Sequence, residues 1–169
     1  VFNLLGPLTN PASAPNQLMG VFDADWIPVL LEVLKELGSN HVLIVAAEDG
    51  LDEISISAAT TIGELKDGEI STYSVSPSDF GISQYDNYAM LKIDSAEQSL
   101  AMLRDALSNK NQAAADIVAL NAGAAIYAAN LVSDLKAGVE KAKQVLRSGE
   151  AVAKLEQLVA FTQSVSAAK

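Results

Sequence analysis

The chain has no cysteine and only one histidine, His41, in 169 residues. The first absence removes disulfides, thiol nucleophiles and zinc–thiolate centres. The second leaves too few imidazoles for most zinc sites and most histidine-based triads. Bases are scarce too: 11 Lys and Arg stand against 21 Asp and Glu, a formal net charge of −10. Surfaces that follow nucleic-acid phosphates need clustered cations, so this balance argues against a nucleic-acid partner. Aromatics make up 5% of the chain, and Trp26, Tyr73, Tyr85 and Tyr88 are too scattered to form a stacking platform for bases. There is no run of 18 apolar residues and no basic n-region, so neither a membrane span nor a signal peptide is indicated. Dinucleotide fingerprints, P-loops and EF-hand loops are missing as well. What remains in quantity is oxygen chemistry.

Half the residues are apolar and 19% are charged, the balance of a folded domain with one core. The charge is unevenly placed. Residues 1–94 hold 14 acids and three bases (Lys35, Lys66, Lys92), whereas residues 95–169 hold seven acids and eight bases. The densest acidic point is Glu48-Asp49-Gly50-Leu51-Asp52-Glu53, with no base between Lys35 and Lys66 to neutralise it.

Local patterns place that run. Two prolines and a glycine in residues 3–11 predict a loop or turn. Apolar residues at Ile27, Leu30, Leu31, Leu34 and Leu37 mark one face of a helix over 25–37, with Asp23 or Asp25 to cap it and Gly38 to end it. The continuous apolar run Val42–Ala47 predicts a strand buried on both faces, with His41 at its start in a structural role. Alternation at Ile54-Ser55-Ile56-Ser57 has the period of a strand, and Lys66-Asp67-Gly68-Glu69 predicts a hairpin that pairs 61–65 with 69–75. Ser95-Ala96-Glu97-Gln98 reads as a capping box opening a helix to about Leu107; further helices fit 111–130, 134–147 and 150–164. The stretch Ile117–Val132, interrupted by Asn121 and Asn130, belongs to a buried helix whose Ala-Gly face allows close packing. The fold class expected is α/β, a mixed β-sheet flanked by helices, with a helical second half.

In open α/β sheets ligands gather at the carboxyl ends of strands, where the acidic run falls. Four carboxylates in six residues repel one another, and a divalent cation is their simplest counter-charge. Magnesium prefers carboxylate oxygen, keeps several waters and shares its shell with substrate phosphates. Adjacent Asp52 and Glu53 on an irregular loop can serve one ion; on a regular strand they would face opposite ways. The same run also fits a solvated loop joining two strands, and spacing alone leaves both open. The opening turn, with Gly6, Pro7, Thr9, Asn10 and Pro11, fits one wall of a small-molecule pocket equally well as it fits a plain connection.

Five segments in order carry a resemblance: Phe2 to Pro11 (Phe-Asn-Leu-Leu-Gly-Pro-Leu-Thr-Asn-Pro), Asp49-Gly50-Leu51-Asp52-Glu53, Gly63 to Gly68, Ser78-Asp79-Phe80-Gly81, and Leu120 to Ala125. Together they closely resemble the anthranilate phosphoribosyltransferases, over about the C-terminal half of such an enzyme. The resemblance implies the nucleoside phosphorylase/phosphoribosyltransferase type of catalytic domain, a cytoplasmic homodimer and a role in tryptophan biosynthesis. It implies transfer of the phosphoribosyl group of phosphoribosyl pyrophosphate to the amino nitrogen of anthranilate, with Mg²⁺ as cofactor and pyrophosphate released. The family's magnesium-binding Asp-Glu pair falls on Asp52 and Glu53, and its anthranilate-channel wall on Gly6, Pro7, Thr9, Asn10 and Pro11. No catalytic residue is implied within the chain.

Residues 1–169 then correspond to the C-terminal portion of the α/β catalytic domain. The family's anthranilate-binding arginine, its Gly-rich pyrophosphate loop and its Lys-His-Gly-Asn segment all map upstream of Val1, so the chain alone is expected to be inactive. Ala46 stands where the family commonly has histidine. A pyrimidine-nucleoside phosphorylase of the same fold and a non-enzymatic paralogue are the alternative readings; the adjacent Asp-Glu pair favours the transferase.

Overall fold

The computed structural model describes residues 6–167. A four-stranded sheet in the order β1-β2-β3-β4 is made by β1 (Asn16–Gly20), β2 (His41–Ala47), β3 (Thr60–Lys66) and β4 (Glu69–Val75). β1 and β2 run parallel, with Gly20 opposite Val45; β2–β3 and β3–β4 are antiparallel. The mixed α/β class expected from the sequence is the class observed. The hairpin forms where the Asp67-Gly68 pair predicts it, both residues at positive φ.

β2 decides how the rest is arranged. Its alternate residues Val42, Ile44 and Ala46 pack on one side with Ile27, Leu30, Leu31 and Leu34 of α1 (Ile27–Glu36). Leu43 and Val45 pack on the other side with Leu120 and Ala124 of α3 (Gln112–Ala128). A strand without a polar face needs cover on both, and the two helices supply it. α1 comes so close to β3 that a Cβ on Gly63 would lie 2.1 Å from the Ile27 side chain. Behind α3 lie α2 (Ala96–Leu107), α4 (Leu135–Ser148) and α5 (Glu150–Ala167). α3 and α4 cross at their glycines: a Cβ on Gly123 would sit 2.5 Å from the Val139 backbone, and one on Gly138 would sit 2.2 Å from the Gly123 carbonyl. Among the described residues no helix is long and apolar enough to cross a membrane.

Several expectations change in detail. The first helix begins with a 3₁₀ turn, Ala24–Trp26, capped by Asp23, whose carboxylate accepts the Asp25 N–H; Pro28 then fits the first turn of α1. Residues 54–57 form no strand despite their alternation. Ile54 and Ile56 are buried because α3 covers them, while side chains rather than a strand ladder satisfy much of the backbone there. Residues 1–5 of the opening motif lie outside the described residues, and residues 6–8 form a helical turn. β1 carries too short an apolar signal, Leu18-Met19, to stand out in the sequence. At Ser95 the predicted cap holds, but the Gln98 side chain bonds Asp94 N–H, one residue earlier than a capping box requires.

At the amino end of β2 a buried carboxylate ties sheet to helix. Glu64 of β3 accepts from Tyr127 Oη at 2.7 Å and Tyr73 Oη at 2.9 Å, and lies 3.0 Å from His41 Nε2. The other His41 nitrogen, Nδ1, lies 2.7 Å from Asn130 Oδ1, so both ring nitrogens are engaged. Burial first, then the neighbouring Glu64, holds the Tyr73 and Tyr127 hydroxyls above the ordinary tyrosine range. His41 is structural, as expected. Leaving a buried hydrogen-bonding group without its partner costs about 1–3 kcal/mol. Glu64→Ala is therefore expected to lower the urea-unfolding free energy at pH 7 by about that amount, and a loss under about 1 kcal/mol would contradict the role given to this network.

Candidate functional site

β2 ends at Ala47, and the chain turns through residues 48–59 before entering β3. The turn is closed by Gly50 N–H to Ala47 C=O at 3.1 Å and Ala47 N–H to Leu51 C=O at 3.0 Å. Gly50 supplies the left-handed backbone, φ 87°, that a side chain would resist. Glu48 N–H bonds Ala59 C=O, which closes the base of the loop.

The four acids of this segment are not equivalent. Asp49 is half-buried, and its Oδ2 accepts from both Ser55 Oγ and Ser57 Oγ at 2.6 Å, while Oδ1 takes the Leu51 N–H at 3.4 Å. It pins the two limbs of the loop together. Glu48 is exposed. Asp52 and Glu53 make no hydrogen bond or ion pair among the described residues. Desolvation first, and then the Asp52 charge beside it, hold the Glu53 carboxyl above the ordinary glutamate range. Glu53 also lines a mainly apolar cavity of about 430 Å³ with Leu51, Tyr88, Leu91, Met102 and Ile117.

Two contacts hold this pair from opposite sides. A Cβ on Gly20, the last residue of β1, would lie 1.6 Å from the Asp52 carbonyl oxygen, so the loop rests directly on the strand backbone. On the other side, Asn121 of α3 reaches Ile54. Its Oδ1 accepts the Ile54 N–H at 2.9 Å, and its Nδ2 donates to the carbonyls of Ile54 and Ile117, both at 3.0 Å. Bonding to neighbouring backbone is the role the sequence gives Asn121; that the neighbour adjoins Glu53 is visible only in the fold.

The donor set suits a hard divalent ion whose shell is completed from outside. Two adjacent, unpaired carboxylates supply anionic oxygen where ligands collect in such sheets. Among the described residues no group of three or more Asp, Glu or His side chains forms a metal cage, so waters and a ligand's phosphate oxygens would complete the shell.

The other residues singled out by the sequence lie elsewhere. Pro7 and Asn10 line a cavity of about 320 Å³ with Gly38 and Ser39, where β1 and β2 begin. Thr9 Oγ1 bonds the Gly6 carbonyl, Asn10 Oδ1 caps Ala12 N–H, and Gly6, Thr9 and Pro11 are exposed. A strand of seven residues such as β2 spans about 20 Å. The fold therefore sets this turn at the opposite end of the sheet from Asp52 and Glu53 and does not bring the two groups together. Ala46 is buried against α1 rather than turned toward the loop cluster.

Unpaired like charges have a measurable consequence. A carboxyl whose folded pKa lies above its unfolded value favours the protonated state, so ionisation costs stability as pH rises through the folded value. Asp52→Asn relieves that repulsion. Without divalent ions it is expected to raise the melting temperature slightly at pH 7, by an energy under about 1 kcal/mol because both groups are exposed, and to make no difference near pH 3. A lowered melting temperature at pH 7 would show that the Asp52 carboxylate has a stabilising partner.

Comparison with known proteins shows the family and the fold. Residues 1–152 match the model described as "Glycosyl transferase family, a/b domain". The chain is 52% identical over 167 residues to an anthranilate phosphoribosyltransferase of Polaromonas sp. (strain JS666), covering 99% of this chain and 48% of the relative. It is 50% identical over 163 residues to that of Burkholderia multivorans, covering 96% and 47%. Among solved structures, anthranilate phosphoribosyltransferase from Thermus thermophilus superposes with a TM-score of 0.85 at 38% identity, over 96% of this chain and 47% of that one. The Saccharomyces cerevisiae enzyme in complex with PRPP and Mg gives 0.78 at 26% identity, again over 96% and 47%. The chain spans about half the length of the curated relatives it matches. With the sheet, the acidic loop and this match all in hand, the chain belongs to the glycosyl transferase family, through its a/b domain.

Proposed function

We propose that this chain is the C-terminal portion, residues 1–169, of the α/β catalytic domain of an anthranilate phosphoribosyltransferase. The intact enzyme is a cytoplasmic homodimer that transfers the phosphoribosyl group of phosphoribosyl pyrophosphate to the amino nitrogen of anthranilate and releases pyrophosphate, a step in tryptophan biosynthesis. One observation carries this reading: an unpaired Asp52–Glu53 pair at the carboxyl end of β2, in a chain about half identical to enzymes of that name. A solved relative bears PRPP and Mg, which supports the same ligands here.

Within that activity the chain's own residues have a limited task. Asp52 and Glu53 present two acceptor-only carboxylates, and they would hold Mg²⁺ together with diphosphate oxygens and water. The ion, when bound, neutralises charge that develops on the departing pyrophosphate. Glu53 must be ionised to serve, and its surroundings favour the proton, so metal affinity falls in mild acid. The carboxylates cannot bind phosphate without a cation between them. The resemblance implies that the groups that cradle phosphate directly map upstream of Val1, and a strand's length separates the turn at 6–11 from the acidic pair.

Asp52→Asn in the intact enzyme is expected to raise the Mg²⁺ concentration for half-maximal rate by about tenfold or more, at least the loss typical of mutating a residue that only supports a metal ligand. An unchanged Mg²⁺ titration of the rate would overturn the metal assignment. The 169-residue chain alone, given both substrates and Mg²⁺, is expected to form no phosphoribosyl-anthranilate; normal turnover would contradict its place as a portion of the catalytic domain.

A further inference from the structure

We infer that Asn121 is a positioning residue for the Asp52–Glu53 pair, acting against Gly20 as the opposing stop. The inference rests on the reading of that pair as the metal site, and it assigns new roles to two residues that touch neither metal nor substrate.

The backbone of residues 52–59 has no strand ladder to hold it. Ile54 N–H and C=O find no backbone partner among the described residues; both go to the Asn121 amide, at 2.9 and 3.0 Å. Bonding both polar groups of one residue to one rigid amide fixes the peptide planes on either side of it. The plane before Ile54 contains the Glu53 carbonyl, so Glu53 is fixed at its Cα. The third bond of Asn121, from Nδ2 to the Ile117 carbonyl one turn back, fixes the amide itself on α3. Asn121 thus spends its amide oxygen and nitrogen on backbone groups.

Gly20 acts from the other side. With no Cβ it lets the Asp52 carbonyl lie against β1, and any side chain there would displace the loop, since the atom it meets is backbone. Asp52 and Glu53 are therefore bracketed, one residue on each side, by α3 and by β1. A strand would turn two adjacent side chains to opposite faces. An unheld loop would let the two like charges drift apart. The bracket holds the two residues side by side on the loop, with a backbone contact on one side and the Asn121 amide on the other. A site that binds a cation with two carboxylates needs this proximity before the cation arrives.

The test uses Mn²⁺, with and without inorganic pyrophosphate, as a paramagnetic probe of the 169-residue chain. Amide signals of residues 51–54 should broaden in the wild type and stay sharp in Asp52→Asn. Asn121→Ala and Gly20→Ala should still unfold cooperatively yet need at least tenfold more Mn²⁺ for the same broadening, and the Ile54 amide should exchange faster in Asn121→Ala. Leu34→Ala, which removes core contacts on the α1 side, should bind Mn²⁺ as wild type does and so separate positioning from loss of stability. If Asn121→Ala fails to fold, Gly20→Ala alone decides. Wild-type Mn²⁺ response in the bracket variants, with loss in Asp52→Asn, overturns this inference and leaves the metal pair standing. Wild-type response in Asp52→Asn, or none in the wild-type chain, overturns the metal pair itself, and the bracket's role falls with it.

Discussion

A strand with no polar face governs this molecule. Val42 to Ala46 are buried on both sides of β2, and such a strand is stable only between two apolar layers. α1 forms one layer and α3 the other. The loop that leaves β2 is met by the sheet on one side and by a helix layer on the other: β1 touches it at Gly20, and α3 touches it at Asn121. The acidic pair therefore stands where two layers converge, and its position follows from how the core is covered.

Carboxylates in this fold separate by what satisfies them. Glu64 is buried and engaged by Tyr127, Tyr73 and His41, so its charge serves to lock β3 and β4 to the end of α3. Asp49 is half-buried and holds two serine hydroxyls, which makes it a clasp for the loop. Asp52 and Glu53 have neither kind of partner, and they repel each other. A pair left in that state lowers stability unless something else supplies the counter-charge, which is the usual signature of a site kept for a ligand. The same residue types, a few positions apart, are thus tied into the fold or left unpaired according to their hydrogen bonds.

The sequence made much of this legible, and the physical reasons for what it hid differ. β2 announced itself because a fully buried strand needs a continuous apolar run, and the β3–β4 hairpin because Asp67-Gly68 meets a turn's demand for positive φ. β1 was silent: five residues at a sheet edge bury too little to leave a pattern. Ile54–Ser57 misled, because alternation records which side chains are buried and says nothing of where the backbone's hydrogen bonds go. Asp49 has no distinguishing mark within the acidic run, because the serine hydroxyls of Ser55 and Ser57 that engage it meet it only in the folded loop. The separation of the turn at 6–11 from the acidic loop depends on strand direction, which no local spacing encodes.

The glycines of the helical half bear on the same site. Gly123 and Gly138 let α3 and α4 approach until their backbones touch, and side chains at either position would force the helices apart. Asn121 lies two residues before Gly123, and its amide reaches Ile54 only if α3 sits at one height above the sheet. A change at the α3–α4 crossing would therefore be felt first at Ile54 and only then at Glu53, although no atom of the crossing lies in the loop. The Ala-Gly face that offers no chemistry of its own sets the depth of α3, and through Asn121 it sets where the Asp52–Glu53 pair lies.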